Sequence, residues 1–252
     1  MPFRADSSLV AEIVPSPNHE PRRAGIDILL LHYTGMESTD AALERLASPD
    51  AKVSAHYLVR ENGSIVQLVG EARRAFHAGV SSWEGETDVN SRAIGIEIAN
   101  PGHDFGCPPF PPPQIAAVIA LCRDILTRHV VRPERVLGHS DVAPGRKRDP
   151  GERFFWRELA EAGVGLWVEP RAVAPGPTLG LGDSGPAVLA LQRTLARYGY
   201  GLAPTGTFDT ATHDVVVAFQ RHFRPACVDG RADPSTRTTL DDLVAARAMR
   251  AS

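Results

Sequence analysis

The sequence predicts an α/β fold, a central sheet with helices on its faces, followed by a small helical domain. Three observations predict it. Apolar runs closed by glycine or asparagine alternate with amphipathic stretches over the first two thirds of the chain. A proline-rich stretch without periodicity, VEPRAVAPGPTL, then runs from Val168 to Leu179 and reads as an extended, fairly stiff linker. Beyond it one short motif occurs twice. A chain of 252 residues, 43% hydrophobic and 23% charged, is long enough for one sizeable core and a smaller module. The expected segments are 1–168, a linker at 169–177, and 178–252.

The elements follow in order. IDILLLHYTG, Ile26 to Gly35, is a continuous apolar run, the pattern of a strand buried on both faces that delivers His32 at its end. DAALERLAS, after Thr39, starts acidic and carries leucines at 43 and 46, a short amphipathic helix. SAHYLVRENGSIVQLV alternates about ENGS, giving two strands joined by a hairpin turn at Asn62 and Gly63. SRAIGIEIAN, Ser91 to Asn100, is a second buried strand and holds Glu97 between Ile96 and Ile98. PPPQIAAVIALCRDILTRHV opens with proline and keeps helical spacing, the longest helix of this half. RVLGHS is one more short strand, ending at His139, and ERFFWRELAEAGV a closing helix. In the last part, TGTFDTATHDVV from Thr205 and DGRADPSTRTTL from Asp229 each place an aspartate three residues after a glycine and a threonine three further on. That repeat implies two turn-plus-helix units. GDSGPAVLALQRTLARYGY and VVVAFQRHF supply helices with i, i+3, i+4, i+7 spacing.

Composition narrows the function. A net charge of −3 gives no basic face for nucleic acid. Three widely spaced cysteines without a CxxC pair indicate neither a disulfide framework nor a thiolate zinc site. The first residues, MPFRADSSLVAEIVPSPNHEPRR, show no lipobox cysteine and no run of the roughly 7–15 apolar residues of an export signal, and no window approaches the roughly 18–20 of a membrane helix. A cytoplasmic protein is the expectation, with the periplasm as the alternative. Nothing in the sequence sets an oligomeric state.

His32, His139 and Asp149 stand at strand ends or in loops, and two histidines with one carboxylate match the three-ligand count of a hydrolytic zinc site, whose fourth position holds water. Such a site also needs a proton acceptor and a cation, and Glu97 and Lys147 are available. Each residue has a plainer reading. A histidine at a strand end is more often a hydrogen-bonded structural residue, and His139-Ser140-Asp141 and Asp149-Pro150-Gly151 are turn-forming. The run Arg146-Lys147-Arg148 is the composition of a solvated face. Glu97 is harder to dismiss, because an unpaired carboxylate on an apolar strand costs several kcal/mol and must find a partner. His56 and His77 are expected beside the site as supporting or substrate-wall residues; His19, His103, His129, His213 and His222 are read as structural.

Taken together, SPNHEPRR, LLLHYTG, VSAHYLV, AFHAG, AIGIEIAN and GHSDVAPGRKRDPG occur in the order seen in zinc N-acetylmuramoyl-L-alanine amidases, and residues 10–165 resemble the amidase_2 class of the AmpD and AmiD type. The resemblance implies a mixed sheet flanked by helices, with His32, His139 and Asp149 binding Zn2+. It implies that Glu97 positions or deprotonates the attacking water and that Lys147 stabilises the oxyanion. It further implies cleavage of the amide between N-acetylmuramic acid, or its 1,6-anhydro form, and L-alanine in muropeptides or peptidoglycan. His56, His77, Asn100 and Arg146 are the expected substrate contacts. Phage and animal members use a cysteine ligand and a tyrosine; here the ligand position is Asp149 and the tyrosine position falls at Ala55, so the acid/base work is assigned to Glu97. Residues 178–245 resemble the peptidoglycan-binding domain 1 module, a three-helix bundle, and depart from its usual pattern at RPACVDGRAD. A non-catalytic recognition protein and a stem-peptide peptidase are the competing readings; no zinc ligand is missing, which disfavours the first. Lys147 is expected to point into the site, with Arg146 and Arg148 facing solvent or an acidic substrate.

Overall fold

Strands form where apolar runs are dense, and the most apolar, covered on both sides, lie in the interior of the sheet. The computed structural model describes residues 3–251, so the outer ends of the two expected segments, residues 1, 2 and 252, lie outside the described residues. In chain order the strands are β1 (Val10–Ile13), β2 (His19–Pro21), β3 (Ile28–Tyr33), β4 (Tyr57–Val59), β5 (Ile65–Gln67), β6 (Arg73–Ala75), β7 (Ala93–Ile98) and β8 (Val136–Gly138). The helices are α1 (Thr39–Ala47), α2 (Val89–Arg92), α3 (Pro112–Arg128), α4 (His139–Val142) and α5 (Trp156–Glu161), then α6 (Pro186–Tyr198), α7 (Thr210–Phe223) and α8 (Pro234–Ala251). The main sheet runs β1-β5-β4-β7-β3-β8, while β2 and β6 form a separate antiparallel pair. The β4–β5 hairpin is antiparallel and β7, β3 and β8 are parallel, so the sheet is mixed.

Strand alternation sends the two faces to different partners. Leu29, Leu31, Ile94, Ile96 and Ile98 pack under α3 and α5. Ile28 and Leu30, one residue out of phase, join a cluster that contains Val188 and Leu195 of α6, Phe219 and Phe223 of α7, and Leu243 of α8. The C-terminal helices therefore share a core with the sheet. On the same face, Leu58 and Val66 lie under Ala42 and Leu46 of α1.

Several expected boundaries move. β3 continues one residue past His32 to Tyr33, and α5 starts at Trp156, because Glu152 to Phe155 form a turn in which Phe154 donates its N–H to the Gly151 carbonyl. β1, β2, β6 and α2 were not expected; each has three or four residues, too few to display a period. The proline-rich stretch has no regular structure, yet it lies along α8: the Arg171 N–H donates to Thr239 Oγ1 at 3.1 Å and its guanidinium pairs with Asp242.

The repeated motif builds two equivalent joints. Asp209 accepts the Thr212 N–H at the start of α7, and Asp233 accepts the Thr236 N–H at the start of α8. A glutamine of the preceding helix clamps each turn. Gln192 accepts from the Gly206 N–H and donates to the Thr207 carbonyl, while Gln220 accepts from the Gly230 N–H and donates to the Arg231 carbonyl.

Candidate active site

Parallel register aligns the site. His32 on β3 lies opposite Glu97 on β7, and Leu31 lies opposite Gly138 on β8. Three adjacent strands thus present Glu97, His32 and His139 side by side at their carboxyl ends, where open α/β sheets place their ligands. His139 is the first residue of α4. The chain then loops away and returns ten residues later, where the Asp149 carbonyl accepts the Ser140 N–H at 2.9 Å.

The three buried donors converge. His32 Nδ1 and His139 Nδ1 are 2.9 Å apart, and each is 3.0 Å from Asp149 Oδ2. The outer contact of His139 fixes its tautomer. His139 Nε2 is 3.0 Å from the Ala78 carbonyl, an acceptor only, so Nε2 carries the proton and Nδ1 keeps its lone pair for the cluster. His32 Nε2 is 3.2 Å from His77 Nδ1, so one of the two rings donates to the other, and a proton on His32 Nε2 leaves the His32 Nδ1 lone pair for a cation. His77 Nε2 is buried and has no hydrogen-bond partner among the described residues. The His77 ring lies directly on the β7 backbone. A Cβ on Gly95 would fall 2.6 Å from that ring, so this position accepts only glycine while His77 stays in place.

Burial, followed by the neighbouring His139, lowers the His32 imidazole to about 4. Burial pushes Asp149 upward, but the charges and hydrogen bonds of His139 and His32 outweigh it and hold the carboxyl well below the usual range. A neutral imidazole beside an ionised carboxylate is the protonation state that binds a cation. Glu97 moves the other way: burial first, then Asp149, raises its carboxyl well above the ordinary value, and Lys147 opposes the rise. Its Oε2 is buried and has no partner among the described residues.

These groups open into a cleft of about 390 Å³ that Lys147, Arg148, Arg146, His77 and Tyr33 also line. Arg146 is exposed and clasps the opposite loop, its guanidinium donating to the Ala78 and Val80 carbonyls. Arg148 is exposed and paired with Asp104. Two expected substrate contacts need correction. His56 is 0% exposed and does not reach the cleft, because Nδ1 accepts the Gly95 N–H and Nε2 is held between Arg22 and the Arg73 carbonyl. Asn100 is also buried, its amide bridging the Pro108 carbonyl and the Gly102 N–H. Both residues shape the fold.

Tyr33 was missed. It follows His32, and strict alternation would turn it to the other face, but its hydroxyl lies 2.9 Å from His103 Nδ1 at the cleft rim and His103 Nε2 reaches Glu152 at 3.0 Å. No periodicity signals that turn at a strand end. His222, read as structural, contacts Asp141 at 2.7 Å across the two parts of the chain.

Comparison with known proteins agrees with this geometry. The N-acetylmuramoyl-L-alanine amidase family model, Amidase_2, matches residues 21–152, and a peptidoglycan binding domain model, PG_binding_1, matches residues 184–240. The chain is 40% identical over 235 residues to the N-acetylmuramoyl-L-alanine amidase AmiD of Escherichia coli (strain K12), covering 87% of this chain and 82% of that protein. Its structure is similar to that of E. coli AmiD in complex with the substrate anhydro-N-acetylmuramic acid-L-Ala-D-gamma-Glu-L-Lys, with a TM-score of 0.74 and 35% identity over 97% of this chain and 93% of that one. It is also similar to AmpDh3 of Pseudomonas aeruginosa in complex with anhydromuramic pentapeptide, with a TM-score of 0.71 and 30% identity over 96% and 94% of the two chains.

Proposed function

Because the chain belongs to the N-acetylmuramoyl-L-alanine amidase family, we propose that it hydrolyses the amide between the lactyl group of N-acetylmuramic acid, or its 1,6-anhydro form, and L-alanine in peptidoglycan fragments. The reaction belongs to cell-wall recycling or turnover. The observation that carries this reading is the convergence of His32, His139 and Asp149 beside Glu97 and Lys147 in one cleft.

Zn2+ suits the donor set, two imidazole nitrogens and one carboxylate oxygen within 3.0 Å of one another, with the His139 Nδ1 lone pair aimed inward by the outer hydrogen bond of Nε2 to the Ala78 carbonyl. Zinc in such a site acidifies a water and polarises a carbonyl. The protein's own groups supply the rest. Glu97, with its buried unpartnered Oε2, accepts the proton of the attacking water and returns it to the departing L-alanine amine. Its raised affinity for a proton, caused mainly by burial, fits it to hold that proton between the two steps. Lys147 lines the same cleft and places an ammonium beside the developing oxyanion. Arg146 and His77 form the wall against which the fragment lies. No helix of the described residues is long and apolar enough to cross a membrane.

Removing zinc with a chelator, or making Glu97→Ala, is expected to abolish release of peptide from an anhydromuramyl-peptide, with activity restored by zinc only in the wild type. Mass analysis should find the intact stem peptide beginning with L-alanine. Cleavage within the stem, or full turnover by the metal-free protein, would overturn the reading. Comparing anhydromuropeptides with intact sacculi identifies the preferred substrate.

A further inference from the structure

The C-terminal helices reach the metal-ligand segment through one buried carboxylate. Asp141, two residues after His139, is 0% exposed. Its Oδ2 accepts the Gly138 N–H at 2.8 Å, closing the first turn of α4. The other two donors come from the C-terminal part of the chain: the hydroxyl of Tyr200, two residues past the end of α6, at 2.8 Å on Oδ1 and Nδ1 of His222 on α7 at 2.7 Å on Oδ2. A buried carboxylate needs such donors to satisfy its oxygens and fix its position.

Both donors are held rigidly. Tyr200 forms a backbone bridge with Trp83, and the Glu84 N–H donates to the Gly199 carbonyl. Gly199 is required there, since a Cβ would fall 2.5 Å from the Trp83 ring. His222 is stacked between Trp156, 3.6 Å between ring centroids, and Phe223, 3.7 Å. Trp156 in turn covers Gly138, as does Pro150, the residue after Asp149. The turn from Gly138 to Asp141 contains His139, and its Ser140 N–H holds the Asp149 carbonyl. Two of the three candidate ligands therefore rest on one turn, and residues some 60 to 80 positions away hold that turn.

We propose that Tyr200 and His222 are positioning residues of the metal centre: through Asp141 they set the first turn of α4, and with it His139 and Asp149. This rests on the reading of His32, His139 and Asp149 as the metal ligands. It gives the C-terminal helices a role in catalysis that is separate from any contact with the cell wall.

The test is zinc affinity of the full chain, measured by competition with a chromophoric chelator, alongside thermal stability of the metal-free protein. Tyr200→Phe and His222→Leu are expected to weaken zinc binding about 10-fold, the lower end of the effect of removing a ligand's supporting partner. His222→Asn, whose amide places an N–H where Nδ1–H lies, should restore it. Arg247→Gln is the control: Arg247 joins the same two parts of the chain through Glu84 and the Tyr198 carbonyl, so it should lower stability and leave zinc affinity unchanged. Unchanged affinity in folded Tyr200→Phe and His222→Leu, or an equal loss in Arg247→Gln, would overturn the proposal. If His222→Leu does not fold, Tyr200→Phe, which removes a single hydroxyl, decides. Failure of the underlying metal reading looks different, because then wild type binds no zinc or His139→Ala binds it as tightly.

Discussion

Lys147 and Arg148 are adjacent basic residues that do different things. Lys147 is half-buried in the cleft, where its charge acts on Glu97 and His32, while Arg148 is exposed and paired with Asp104. Removing one stabilising group from an oxyanion site costs roughly 10²–10³ in kcat, and an exposed ion pair is worth about 0–1 kcal/mol. Lys147→Ala should therefore lower kcat on an anhydromuramyl-L-alanine peptide by at least about 100-fold, whereas Arg148→Ala should change it only a few-fold. Steady-state kinetics on the two variants checks this; equal losses would place the oxyanion contact elsewhere. Arg146, the first of the run, shares the Ala78 carbonyl with His139 Nε2, so it closes the loop over the ligand as well as lining the cleft.

At the scale of elements, Glu71 ties the end of α3 to the hairpin. Its carboxylate accepts from the Tyr57 hydroxyl at 2.6 Å, from Arg128 at 2.7 Å and from His129 at 2.8 Å, and it is buried. Burial pushes its pKa up, but the hydrogen bonds from Arg128, Tyr57 and His129 outweigh that and bring it from 4.5 to about 2. The folded value lies below the unfolded one, so the stabilisation is present above about pH 4.5 and is lost as pH falls toward 2. It amounts to on the order of 3 kcal/mol at neutral pH. Urea unfolding of wild type and Glu71→Gln should differ by that order at pH 7, with the gap narrowing steadily below pH 4.5. A gap independent of pH would mean that the ionised form contributes nothing.

For the whole molecule, the shared core decides how the chain unfolds. Ile28 and Leu30 of β3 pack with Leu195, Phe219 and Leu243 of the C-terminal helices, and exposing a side chain of that size costs about 1.5–3 kcal/mol. Arg247 of α8 adds an ion pair with Glu84 across the same boundary. Two modules on a tether would unfold separately. This chain should instead show one calorimetric transition with equal calorimetric and van't Hoff enthalpies, and two resolved transitions would refute a common core.

The sequence by itself determined the local pieces: two apolar strands ending near His32 and carrying Glu97, a proline-led helix at 112–128, a turn-rich segment holding His139 and Asp149, and a repeated Gly-x-x-Asp-x-x-Thr start to the last two helices. Each is written in a period, a cap or a turn residue, which act over a few positions. Tertiary structure decided the rest. Only strand register sets His32 against Glu97, and only packing seals His56 and Asn100 away from the cleft, turns Tyr33 toward it and lays α6, α7 and α8 on the sheet. Those outcomes depend on which face a side chain meets at long range. Apolar spacing marks a residue for burial but leaves its partner to the fold.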